Sequence, residues 1–152
     1  MKRSISYLLA FITILLFTSS TSTIVRMDIG EPVPGAEILV EQEPNDVPIS
    51  SGVTDQNGIF SFSLPPGMKI PKKLTISIKI KFPEYLSKNV TPVPCQLIIK
   101  AGGKTNTKNI TYLPTVKSLG GPYHSSYSNM EENAVFVIQL LEIKTKANKS
   151  IK

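Results

Sequence analysis

Few residues in this chain suit acid–base or metal chemistry. The only histidine, His124, stands in Gly120-Gly121-Pro122-Tyr123-His124-Ser125-Ser126-Tyr127. A peptidase zinc centre takes two histidines and a carboxylate, so a lone histidine cannot build one. A Ser-His-Asp triad assembles across a fold and escapes such counting, but no Gly-x-Ser-x-Gly elbow occurs. Asp55-Gln56-Asn57-Gly58 starts like a calcium loop yet lacks the later ligands and the closing glutamate. The expectation is a noncatalytic chain with no metal site and no cofactor.

The candidate ligand-binding residues are Tyr123, His124 and Tyr127, read as an irregular loop within 114–130. Loop tyrosines stack on sugar rings or anchor a protein partner. The simpler reading is that they pack their own loop onto the body, and the absence of tryptophan weakens the sugar alternative. Three Asn-x-Ser/Thr sequons give glycosylation candidates: Asn89 in a loop, Asn109 in a strand and Asn148 in the tail. They carry meaning only in a eukaryotic secretory route. Cys95 is the sole cysteine, so no disulfide forms within the chain. Its setting, Cys95-Gln96-Leu97-Ile98-Ile99, reads as a strand with a buried thiol; the alternative is an intermolecular disulfide.

Lys2 and Arg3, the apolar run from Ile5 to Phe17 and the hydroxyl-rich residues 18–23 have the form of a secretory signal peptide. Cleavage is expected after Ser22. The run is shorter than a membrane span needs, and no second one follows. The expected organisation is a signal peptide over 1–22, one domain over 23–146 and a frayed basic tail over 147–152. The destination is extracellular or the cell wall, or the periplasm of a Gram-negative cell. The formal charge of +6 is unevenly spread. Residues 24–60 hold Arg26 against seven acids, whereas 61–152 hold 14 lysines against four glutamates. With no arginine cluster and an exported chain, nucleic acid is not an expected partner.

Period-two alternation dominates. Leu74, Ile76, Ile78, Ile80 and Phe82 share one face, and Lys73, Thr75, Ser77, Lys79 and Lys81 the other. Phe60, Phe62 and Leu64 alternate with Ser61 and Ser63 after Asn57-Gly58, a hairpin signal. Strands are also expected over 24–29, 36–41, 51–54, 95–100, 108–113 and 133–143, the last either central in its sheet or buried on both faces. About seven short strands with Gly, Pro and Asn turns predict an all-β, antiparallel β-sandwich. No internal repeat is apparent.

Pro34-Gly35-Ala36, then Val53-Thr54-Asp55-Gln56-Asn57-Gly58-Ile59-Phe60-Ser61-Phe62 and Pro65-Pro66-Gly67, resemble the carboxypeptidase regulatory-like domain. The resemblance covers about a third of the mature chain and fades beyond Phe82. It implies a sandwich of the immunoglobulin- or transthyretin-like kind, close to carbohydrate-binding-like folds, serving as a noncatalytic accessory or adhesive module. The functional expectation is a secreted binding or adhesion module for an extracellular polysaccharide or surface protein. The alternative is a structural cell-wall component without a discrete ligand site.

Overall fold

The computed structural model describes the backbone of residues 24–88, 91–115 and 119–149, with side chains at 30–86, 91–115 and 119–144. The segment read as a signal peptide and the last residues, 150–152, lie outside these. Nine strands follow in chain order: β1 (Ile24–Pro32), β2 (Glu37–Gln42), β3 (Val47–Val53), β4 (Ile59–Ser63), β5 (Lys73–Lys81), β6 (Val93–Ala101), β7 (Lys104–Tyr112), β8 (Gly120–Ser128) and β9 (Val135–Lys149). A short 3₁₀ helix, Glu84–Lys88, leads from β5 toward β6. Ile29–Lys144 forms one compact body; the described backbone outside it is the extended ends of β1 and β9.

The strands make an antiparallel β-sandwich. One sheet runs β3-β2-β5-β8; the other runs β1-β9-β6-β7, with β4 also paired to β9. The alternation of β5 explains the packing. Leu74, Ile76, Ile78 and Ile80 are fully buried, and Ile38 and Val40 of β2 lie on the same inner face. Leu97 and Ile99 of β6 and Phe136, Ile138 and Leu140 of β9 complete the core from the opposite sheet. Phe136 stacks on Phe62 at 4.9 Å between ring centroids, and Tyr127 meets its edge at 5.3 Å. Burying such aliphatic and aromatic side chains contributes roughly 1.5–3 kcal/mol each.

Two expectations are corrected. The strand count is nine rather than about seven. The chief addition is β8, placed in a segment read as irregular. Its Gly, Pro and Ser residues have weak strand propensity, but β5 supplies an antiparallel partner from Lys73↔Ser128 to Ile80↔Gly120. As the edge of its sheet, β8 tolerates Pro122, which has no N–H to donate.

The Asn57-Gly58 turn does not join two paired strands either, since β3 pairs with β2 and β4 with β9. A two-residue hairpin turn of the I′ type needs positive φ at both central residues, and here only Gly58 takes it, at 71°. Asp55 Oδ1 instead accepts from the amides of Asn57 (2.8 Å) and Ile59 (3.0 Å). The turn is a corner between sheets. Of the two alternatives for the last strand, the central one holds: β9 is paired on both edges, while on its outer face Val135 is exposed and Val137 and Leu141 are half-buried.

Thr54 fixes the corner. It is buried; its Oγ1 accepts from Ala36 N–H (2.9 Å) and donates to the Val33 carbonyl (2.7 Å). The backbone adds Gly35 N–H to the Thr54 carbonyl and Thr54 N–H to the Ala36 carbonyl. The Val33–Ala36 segment that follows β1 is thereby held against the body.

Candidate functional site

That segment forms one wall of a cavity of about 470 Å³. Pro32 and Pro34 line it on one side and Pro92 and Pro94 on another; Tyr85 and Leu86 of the 3₁₀ helix and Glu31, Glu142 and Lys144 complete the lining. Both walls are Pro-Val-Pro sequences. In each the valine is buried, Val33 completely and Val93 nearly so, while the flanking prolines line the cavity. In the first wall extended backbone turns Val33 to the core and Pro32 and Pro34 to the cavity; in the second, Val93 also reaches the lining.

The cavity's polar groups are unevenly engaged. Tyr85 is 44% exposed and donates its hydroxyl to the Pro34 carbonyl at 3.0 Å. Lys144 Nζ meets Glu31 Oε2 at 2.7 Å. Glu142 sits on β9 opposite Cys95 of β6, and among the described residues its carboxylate has no hydrogen bond or ion pair. Its charge reaches its neighbours nonetheless. The Tyr85 phenol is held above its ordinary pKa by burial and then by Glu142. The Lys144 ammonium is held high by its bond to Glu31, then by the charges of Glu142 and Glu31.

Cys95 lies beneath this site with 1% exposure. Burial, with a lesser push from Glu142, raises its thiol pKa to about 12. The thiol therefore stays protonated at neutral pH, and its burial closes the route to an intermolecular disulfide in the folded protein.

The residues singled out from sequence are not brought together. Along β8, Tyr123, Ser125 and Tyr127 take one face and His124 and Ser126 the other. Tyr127 is a core residue at 3% exposure. Ser125 Oγ donates to its hydroxyl, Asn106 Nδ2 donates to Ser125 Oγ, and Lys104 Nζ lies 5.5 Å from its ring centre. These contacts bridge edge strands β7 and β8 across the side of the sandwich. Tyr123 is half-buried and packs against the core. The paired-tyrosine platform is thus absent from this surface, because strand geometry turns both rings inward.

His124 faces out, with Nδ1 2.6 Å from Glu43 Oε1. Ser77 stands opposite it in register, but Ser77 Oγ is buried and has no hydrogen-bond partner among the described residues. The row therefore contains no serine–histidine hydrogen bond of the triad kind.

Asn109 is exposed on edge strand β7, with Thr111 also exposed two residues on. Asn89 lies outside the described residues, and of Asn148 only the backbone is described, within β9. Among the described residues no three His, Cys, Asp or Glu side chains gather as a metal site, and no helix is long and apolar enough to cross a membrane.

Sequence reasoning missed the cavity because it read each proline as a turn signal. The available clue was the recurrence of Pro-Val-Pro at 32–34 and 92–94, the second before a strand and the first after one. No family model matches the chain, and neither a curated protein nor a solved structure does so.

Proposed function

We propose that this protein is a secreted, noncatalytic binding module that captures an extracellular partner in the cavity between the two Pro-Val-Pro walls. The observation that carries this reading is the cavity itself: about 470 Å³, with an exposed aromatic ring and an unpaired carboxylate on a rigid sandwich. Binding sites are typically concave and furnished with a few placed polar groups, supplied here by Tyr85, Glu31, Glu142 and Lys144. The resemblance of residues 34–67 to carboxypeptidase regulatory-like domains supports an accessory role. The signal-like N-terminal sequence supports export, and Asn109 offers an accessible glycan acceptor if the secretory route is eukaryotic.

The test is a screen of the full chain against soluble polysaccharides and surface-protein peptides, followed by melting curves with each hit. One saturable ligand should raise Tm. Tyr85→Ala should abolish that rise while leaving the circular dichroism spectrum unchanged. A panel without any saturable ligand, or hits indifferent to Tyr85→Ala, would reject the cavity as the site.

A further inference from the structure

We propose that the cavity receives an organic cation, the ammonium or guanidinium end of a lysine or arginine side chain presented by a partner protein. This rests on the cavity being the binding site and assigns the chemistry of what enters it.

Donor and acceptor accounting carries the assignment. Pro32, Pro34, Pro92 and Pro94 have no N–H, so these wall residues offer no backbone donor. The Tyr85 hydroxyl gives its one hydrogen to the Pro34 carbonyl, and the Lys144 ammonium turns one of its three N–H donors to Glu31. Thr91 contributes one hydroxyl at the rim. The principal unused group is an acceptor, the Glu142 carboxylate. A ligand rich in donors is complemented here, and one rich in acceptors is not.

Charge points the same way. Glu31 and Glu142 against Lys144 leave a formal charge of −1 on the lining, two carboxylates less one ammonium. The Glu142 charge adds to the upward shift that burial gives Tyr85 and to the one that the bond to Glu31 gives Lys144. The exposed Tyr85 ring adds a π face, which attracts a cation held over it. The remaining walls are apolar: the proline rings, Leu86 and Val93. They suit the methylene stem of a basic side chain, which buries its carbons while its charged head finds a partner. A sugar ring, hydroxylated all round, asks for donors and acceptors together and meets few donors here.

The experiment titrates the full chain with Nα-acetyl-arginine amide, Nα-acetyl-lysine amide, the neutral isostere Nα-acetyl-citrulline amide and the neutral sugar N-acetylglucosamine, read by calorimetry and by amide chemical shifts. The arginine and lysine probes should saturate and shift the amides of residues 85–86 and 142–144. Citrulline should bind at least about tenfold more weakly, and Glu142→Gln should weaken the arginine probe by a similar factor.

Lys144→Gln should tighten the cationic probes by roughly two- to fivefold, because it removes a like charge. A purely structural role for Lys144 does not predict that gain. Equal binding of citrulline, indifference to Glu142→Gln, or N-acetylglucosamine outbinding both amino-acid probes would overturn the assignment. A neutral or anionic ligand lost on Tyr85→Ala would overturn the cation but leave the cavity as a binding site. The absence of saturable ligands of every charge would overturn both.

Discussion

The outer face of the β3-β2-β5-β8 sheet and the cavity between the Pro-Val-Pro walls both carry charge, and they treat it in opposite ways. On the sheet, each glutamate of β2 and its extension has a basic neighbour: Glu37 with Lys81 at 3.7 Å, Glu41 with Lys79 at 2.7 Å and Glu43 with His124 at 2.6 Å. The closest of the lysine pairs is also the least exposed. Glu41 is 7% exposed, and its short contact to Lys79 is a strong ion pair although its angles fall outside those of a hydrogen bond. In the cavity, Glu142 has no ion pair or hydrogen bond among the described residues, although its charge acts on Lys144. Cross-strand pairing of opposite charges stabilises a sheet and sets its register. A carboxylate left over in a concavity stabilises nothing until something else arrives. The difference separates charge that serves the fold from charge available to a ligand.

The largest expected effect breaks the framework behind the cavity. Gly58 has φ of 71°, and a Cβ there would stand 2.5 Å from the Leu140 carbonyl oxygen and 2.9 Å from Val33 N. Both neighbours are backbone and cannot move aside cheaply. Gly58→Ala should cost more than about 2 kcal/mol, combining left-handed strain with the clash, and urea unfolding checks it. Thr54→Val comes next. It keeps the shape but strands the Ala36 N–H and the Val33 carbonyl, for about 1–3 kcal/mol. Because Val33 anchors the first wall, this variant should also weaken ligand binding, whereas a loss of stability without loss of binding would uncouple the two.

Lys79→Met sharpens the contrast from the other side. It leaves Glu41 without its ion partner in a nearly buried position, so Tm should fall by several degrees while ligand affinity stays unchanged. Alkaline pH should act more mildly. The native Cys95 thiol keeps its proton to about pH 12, whereas the unfolded thiol loses it near 9. The native state then holds more protons across that interval, so this group's contribution to stability falls as pH rises from 9 toward 12. Denaturant midpoints at pH 8 and 10.5 measure the change. A maleimide should label Cys95 at pH 8 only after unfolding. Smallest of all is the stability effect of Glu142→Gln, within about 0.5 kcal/mol because no partner is lost, against its large effect on binding.

Much of the sandwich was legible from sequence wherever one face is apolar. Leu74 through Phe82 alternates so regularly that strand, inner face and wet lysine face all follow. Phe60 and Phe62 did the same for β4, and Cys95 for β6. Legibility failed where tertiary pairing overrides local propensity. Gly120–Ser128 has few strand formers, and only the register with β5 makes it a strand. That single misreading carried the site with it, since a loop can present Tyr123 and Tyr127 together outward and an edge strand turns them both in. Asn57-Gly58 signalled a tight turn correctly, but sheet membership depends on β9, some 80 residues away. The cavity was hidden for a similar reason: Pro32–Pro34, Pro92–Pro94 and Glu142 converge only once β1, β6 and β9 lie side by side.

The proline walls also bear on the thermodynamics of any capture event. A flexible loop that closes on a ligand surrenders conformational freedom at that moment, and the loss is subtracted from affinity. Pyrrolidine rings hold φ near −65° before and after; Thr54 and the Tyr85 hydroxyl tie one wall down already. The entropy of shaping this concavity is therefore settled during folding, so that association is left chiefly with the cost of restraining the partner.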